Sequence, residues 1–192
     1  MIAADSIGVE IIMKRFLATA LLLGAFATPA YANMKVGDTA PAFTAQATVG
    51  GDQFTFSLAD ALKKGPVVLY FFPKAFTKGC TAEAHEFAEA AAQFKAAGAT
   101  LIGMSADDIG TLHKFSTQEC SSKFPVAADP DLKVIKAFDS VMVSTSSKAL
   151  NIADRVSYVI APNGKIAYTF ADRNPDKHVE NTLTAVKALT KK

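Results

Sequence analysis

Apolar residues occur in short runs separated by polar, glycine and proline residues, a pattern typical of alternating strands and helices. Val67–Phe72 and Thr100–Met104 are apolar runs of strand length, as expected for strands buried on both faces. Between them, Cys80–Ala97 is rich in alanine and glutamate and is followed by Gly98, which predicts a helix and its end. The centre of the chain therefore has the order strand, helix, strand.

Further elements are predicted on both sides of this unit. They are an extended segment over Phe54–Ser57, a helix over Leu58–Lys64, a helix over Ile109–Ser121, a strand over Pro125–Ala128, a short helix over Leu132–Phe138, a hairpin of Val156–Ile160 and Ile166–Phe170 around Asn163-Gly164, and a helix over Pro175–Lys192. This order predicts an α/β fold with a central mixed β-sheet flanked by helices.

The N-terminal segment has the three parts of a secretory signal. The basic start Met13–Arg15 precedes the uncharged run Phe16–Ala27 and the small-x-small sequence Ala30–Ala32. The run is shorter than the ~20 residues that a membrane span needs, although a retained membrane anchor is the main alternative. We expect residues 1–32 to be an extension and signal peptide that is removed, with Met13 as the true initiator. Residues 33–192 would form a single exported, periplasmic domain.

Composition restricts the function classes. The 192 residues are 50% hydrophobic with a net charge of +2, which excludes a disordered chain and is too weak to indicate nucleic-acid binding. Two cysteines cannot build a disulfide-rich scaffold. The three histidines, His85, His113 and His178, lack metal-ligand spacing, so we expect surface or capping histidines and neither metal nor cofactor.

Cys80 lies where a predicted strand turns into the first turn of a predicted helix. Unpaired backbone N–H groups and the positive end of the helix dipole favour a thiolate at such a position, and Lys78 adds a positive charge. A thiolate is the nucleophilic form of cysteine. The hydroxyl of Thr77 can donate to the sulfur or accept from a bound substrate.

These residues also carry a family resemblance. Pro73-x-x-x-Thr77-x-x-Cys80 after an apolar strand resembles the active-site signature of the peroxiredoxins. The resemblance to their bacterioferritin-comigratory (Q-type) subfamily extends over about residues 36–188 and includes Val68–Lys74, Gly79–Thr81, Gly37–Phe43, Arg155–Ile160 and Gly164–Ile166. It implies a thioredoxin-like fold with an N-terminal peroxiredoxin-type extension. It also implies a thiol-dependent peroxidase that reduces hydrogen peroxide and organic hydroperoxides.

The resemblance assigns a role to each matching residue. Cys80 would be the peroxidatic cysteine, which attacks the peroxide and becomes a sulfenic acid. Thr77 would hydrogen-bond the peroxide and the sulfur, and Pro73 would shield the sulfur from water. Arg155 would hold the thiolate and the developing oxygen charge, and Glu83 would orient that arginine.

The chain departs from the subfamily pattern at Ala75, Lys78 and His85. Many members carry a resolving cysteine at the position of His85, and others carry one in the helix that contains Cys120. We therefore expect Cys120 to resolve the sulfenic acid through an intramolecular disulfide with Cys80 after local unfolding. The alternative is a buried free cysteine that acts as a small apolar residue.

Two other functions remain open at this point. An exported thioredoxin-like thiol–disulfide oxidoreductase normally uses Cys-x-x-Cys, whereas Thr77 occupies the first position here. A redox-sensing binding protein is the other alternative. The implied partners are a peroxide substrate and a thioredoxin-like thiol reductant, with no nucleic acid, no membrane after processing, and a monomer or weak dimer.

Overall fold

A seven-stranded mixed sheet lies at the centre of the fold in the computed structural model, which describes residues 33–146 and 148–191. Its strands are β1 (Thr44–Val49), β2 (Asp52–Ser57), β3 (Val67–Phe71), β4 (Thr100–Ser105), β5 (Val126–Ala128), β8 (Val156–Ile160) and β9 (Ile166–Ala171), and β6 (Val141–Val143) and β7 (Ala149–Ala153) form a separate pair. The sheet order is β2-β1-β5-β4-β3-β8-β9, with β3, β4 and β5 parallel and the other pairs antiparallel. The predicted α/β fold with a mixed sheet is confirmed.

Helices cover both faces of this sheet. They are α1 (Leu58–Leu62), α2 (Lys78–Ala96), α3 (Ile109–Gln118), α4 (Lys133–Ala137) and α5 (His178–Thr190), the last preceded by a 3-10 turn over Pro175–Lys177. Successive strand residues point to opposite faces, so Val68 and Tyr70 of β3 pack in the cluster formed by α2, α3 and α5, and Leu69 packs with α1 and α4. All of β3 is buried, as its continuous apolar run predicts.

The N-terminal part of the described chain is attached to both edges of the sheet. The β1–β2 hairpin pairs with β5, whereas the backbone N–H of Gly37 donates to the carbonyl of Ile166 at 2.9 Å beside β9. The sequence did not predict β1, β6 or β7, because most residues of these strands are only partly buried or exposed and show no clear apolar alternation.

Several predicted boundaries differ from the observed ones. Helix α2 begins at Lys78 rather than Cys80, so Cys80 lies within its first turn. Helix α3 ends at Gln118 rather than Ser121, because Ser121 (φ 48°) and Ser122 (φ 57°) adopt left-handed backbone conformations that a right-handed helix cannot include.

The expectations for residues 1–32 lie outside the described residues. Helix α5 ends at Thr190, before the predicted end at Lys192. Within residues 33–146 and 148–191, no helix is long and apolar enough to cross a membrane.

Candidate active site

Cys80 is held at the start of α2 by a loop that leaves the end of β3. Thr77 precedes the helix with extended backbone and accepts the first helical hydrogen bond, from the N–H of Thr81. The loop is fastened to the end of β4, since the N–H of Ala75 donates to Asp107 Oδ2 at 2.7 Å. Ser105 Oγ donates to the same oxygen at 2.9 Å. The position of the thiol is thus set by two neighbouring strand ends.

The guanidinium of Arg155 connects Cys80 to Glu83. Phe71 of β3 pairs with Val156 of β8, which places Arg155 beside the end of β3. Its Nη2 donates to Cys80 Sγ at 3.4 Å and its Nη1 donates to Glu83 Oε2. All three side chains are buried. The sulfur of Cys80 therefore faces a buried, positively charged hydrogen-bond donor.

Gly79 leaves room for this guanidinium. A methyl group at position 79 would lie 3.2 Å from Arg155 Nη2, a tight contact that would press on the donor to the sulfur. A third bond, from Arg155 Nε to the carbonyl of Arg173 at 3.0 Å, fixes the plane of the group. The guanidinium therefore uses all three of its nitrogens.

Burial dominates the electrostatics around Glu83. Burial raises the pKa of Glu83 to about 8, although the charge and hydrogen bond of Arg155 act in the opposite direction. Its other oxygen, Oε1, has no hydrogen-bond partner among the described residues and lies 3.7 Å from Nδ1 of His178. Burial in turn lowers the pKa of His178.

The expectation that the histidines lie at the surface or cap helices is wrong for His178. Its ring is fully buried, with Ser157 Oγ 2.8 Å from Nδ1 and the carbonyl of Asp172 2.9 Å from Nε2. The residue begins α5, whose apolar face packs against the sheet and takes the imidazole into the core.

Thr77 and Pro73 lie in the loop between β3 and α2. Thr77 Oγ1 donates to the carbonyl of Lys74 at 2.9 Å and makes no hydrogen bond to the Cys80 sulfur within the described part of the chain. No other group in the described part of the chain donates to this oxygen, so the hydroxyl can accept a hydrogen bond from a bound substrate. Pro73 is half-buried after β3, and Phe76 (φ 63°) exposes 44% of its surface.

Cys120 lies just beyond α3 and not within it as predicted. It is fully buried and, like Cys80, is a free thiol. Burial, and to a lesser degree the charge of Glu119, raises the pKa of this thiol. Glu119 pairs with His85 of α2 at 2.8 Å, which links the Cys120 segment to the helix that carries Cys80.

Sequence reasoning missed three residues that shape the site. Asp107 anchors the loop and follows a predicted buried strand, so a polar residue at a strand end was the available signal. Ser157 and His178 are brought together only by the packing of α5 on β8 and had no local signal. Within residues 33–146 and 148–191, no group of three His, Cys, Asp or Glu side chains could hold a metal ion.

The sequence of this chain is similar to a known protein family and to characterised proteins. Residues 36–169 match the model of the AhpC/TSA family. The chain is 34% identical over 160 residues to the chloroplastic peroxiredoxin Q of Suaeda salsa, covering 82% of this chain and 70% of that protein.

Solved structures of proteins of this kind superpose on the fold of this chain. The peroxidoxin BcpB of Mycobacterium tuberculosis superposes with a TM-score of 0.72 at 28% identity, covering 81% of this chain and 98% of that one. The bacterioferritin comigratory protein of Xanthomonas campestris, whose structure concerns alkyl peroxide reduction, superposes with a TM-score of 0.67 at 26% identity, covering 76% and 92%. The expected thioredoxin-like peroxiredoxin fold is confirmed.

Proposed function

This chain belongs to the AhpC/TSA family, and we propose that within it Cys80 is the peroxidatic cysteine and Cys120 the resolving cysteine. The protein is a thiol-dependent peroxidase, an oxidoreductase of the peroxiredoxin class. The observation that carries the assignment of the site is the buried Arg155 guanidinium, which joins Cys80 at the start of α2 to Glu83.

In the first step, the Cys80 thiolate attacks the terminal oxygen of the hydroperoxide. An S–O bond forms, the O–O bond breaks, and the departing oxygen leaves as water or an alcohol once it is protonated. Arg155 supports the negative charge as it passes from sulfur to oxygen, because fixed donors aimed at developing charge lower the barrier. Thr77 accepts from the peroxide O–H, Pro73 shields the sulfur, and Glu83 holds Arg155 in place.

In the second step, the Cys120 thiol attacks the Cys80 sulfenic acid. The S–S bond forms, the S–O bond breaks, and water is released. Both sulfurs are buried and Cys120 lies in a turn with two left-handed serines, so the segment after α3 has to open for this bond to form. Peroxiredoxins are reduced by thioredoxin-like donors, and an equivalent dithiol would return this disulfide to two thiols.

Organic hydroperoxides are included among the substrates because Phe76 presents an exposed ring next to Thr77. The ring packs against Phe115 at 5.3 Å between centroids, which holds an apolar surface on the loop that carries Thr77. An alkyl group bound there would be shielded from water. The Xanthomonas campestris relative, studied for alkyl peroxide reduction, is consistent with this substrate class.

The N-terminal pattern supports export to the periplasm after cleavage behind Ala32. The reductant would then be a periplasmic thioredoxin-like donor, and the mature protein a monomer or weak dimer. N-terminal sequencing of the protein recovered from a periplasmic fraction should begin at Asn33. A product that retains Met13 would contradict this part of the proposal.

The catalytic assignment is tested by following peroxide consumption with a dithiol reductant. Cys80→Ser should abolish it, whereas Cys120→Ser, tested without reductant, should consume one equivalent and stop at the sulfenic acid. Non-reducing peptide mapping after one equivalent of peroxide should show a Cys80–Cys120 disulfide in the wild type. Activity that survives in Cys80→Ser, or a Cys80–Cys80 dimer as the main product, would refute the assignment.

A further inference from the structure

The hydroxyl of Tyr70 is a buried polar group that the proposed mechanism does not use. Tyr70 is 1% exposed, and its hydroxyl has no hydrogen-bond partner among residues 33–146 and 148–191. A buried hydroxyl without a partner lowers the stability of the folded state, so native proteins seldom keep one without another reason.

Gly103 allows Tyr70 to lie across the neighbouring strand. The two residues are paired between β3 and β4, and a methyl group at position 103 would lie 2.7 Å from Cζ and 2.8 Å from the hydroxyl oxygen of Tyr70. The ring stacks on Phe87 at 4.3 Å, which fixes its direction. Phe124, in the segment that follows Cys120, is a further aromatic neighbour of the ring, at 6.0 Å between centroids.

Both sulfurs of the proposed cycle lie in the same buried cluster as Tyr70. Burial raises the pKa of Tyr70 well above its ordinary value. Because the phenol keeps its proton, it remains available as a donor to a sulfur that develops negative charge.

We propose that Tyr70 is a further catalytic residue, whose hydroxyl donates a hydrogen bond to the Cys120 sulfur while that sulfur attacks the Cys80 sulfenic acid. This rests on the resolving role proposed for Cys120. As the S–S bond forms and the S–O bond breaks, the proton of the Cys120 thiol leaves with the hydroxide as water, so no further reactant is needed. The Tyr70 hydroxyl offsets the free-energy cost of negative charge on the Cys120 sulfur in an apolar cluster. Tyr70 belongs to the buried strand β3, so the hydroxyl stays in place while the turn that carries Cys120 opens.

Tyr70→Phe tests the proposal because it removes the hydroxyl and keeps the stacked ring. After one equivalent of peroxide, samples are quenched with a thiol-blocking reagent at timed intervals, and intact mass separates sulfenic acid from disulfide. The conversion of sulfenic acid to disulfide should slow about tenfold, as expected for the loss of a hydrogen bond to a charged group. Thermal unfolding should show an unchanged or higher Tm, since an unpaired hydroxyl has been removed.

Tyr158→Phe is the matched control on the opposite side of the sheet. Its hydroxyl is also buried but bonds to Ser140 and to the carbonyl of Phe138, both at 3.0 Å. This variant should lower the Tm and leave the rate of disulfide formation within about twofold of the wild-type rate.

Three outcomes would overturn the inference. If Tyr70→Phe forms the disulfide at the wild-type rate, the hydroxyl has no role in this step, and the proposed function is unaffected. A fall in both rate and Tm, matched by Tyr158→Phe, assigns the hydroxyl to folding alone. Absence of a Cys80–Cys120 disulfide in the wild type refutes the resolving step itself, and the inference with it.

Discussion

Arg155→Lys should slow sulfenic acid formation at Cys80 about a hundredfold although it keeps the positive charge. The guanidinium places Nη2 on the sulfur, Nη1 on Glu83 and Nε on the Arg173 carbonyl. A lysine has one ammonium at the end of a flexible stem and cannot hold both Cys80 and Glu83 in this plane. Loss of a fixed donor at a reacting centre costs about 2.7–4 kcal/mol, and the retained charge places the expected effect near the lower value.

The same structure limits the effect on stability. Because burial raises the pKa of Glu83 to about 8 even beside Arg155, this carboxyl holds a proton at pH 7 and stays neutral when its partner is lost. The folded state then loses hydrogen bonds worth about 1–3 kcal/mol but does not keep a bare buried charge. We expect Arg155→Lys to fold, with a lower Tm.

The assay is competition with a haem peroxidase for limiting peroxide, which gives the second-order rate constant of Cys80 directly, and circular dichroism gives the Tm. Arg173→Lys is the matched control, since the Arg173 side chain is largely exposed and only its backbone carbonyl contacts Arg155. It should stay within about twofold of the wild-type rate. If Arg155→Lys forms the sulfenic acid at a rate within threefold of the wild-type rate, positive charge alone is sufficient and the planar guanidinium is not required.

Three further predictions follow from neighbouring residues. Gly79→Ala should slow sulfenic acid formation about tenfold by displacing the guanidinium of Arg155; a wild-type rate by the same competition assay would contradict this. Because burial raises the pKa of Glu83 from 4.5 to about 8, the folded protein retains a proton that the unfolded chain releases between these pH values, so the wild-type unfolding free energy should fall with rising pH relative to Glu83→Gln. Parallel pH profiles of the two proteins in urea titrations would refute it. His85→Ala removes the link to Glu119 and should speed disulfide formation by up to about fivefold, measured by timed quenching; slower formation would show that the pair assists the reaction.

Local patterns predicted much of the fold. The apolar runs gave β3 and β4, and Asn163-Gly164 gave the β8–β9 hairpin, because each signal depends on a few consecutive residues. The β6–β7 pair was not predicted, since its residues are mostly exposed or partly buried and show little apolar pattern. The end of α3 was misplaced because nothing in the residue types of Ser121 and Ser122 signals two left-handed conformations in succession.

The sequence alone determined that a cysteine stands at a strand end and a helix start, and the family resemblance indicated which arginine would join it. Only the tertiary structure decided how they meet. The β3–β8 register brings Arg155 to a cysteine 75 positions earlier in the chain, and the bare backbone of Gly79 leaves space for the guanidinium. The tertiary structure also places the Tyr70 hydroxyl across Gly103, in the buried cluster that contains the sulfurs of Cys80 and Cys120. Such contacts depend on strand register and close packing between distant segments, which the local pattern of residues does not specify.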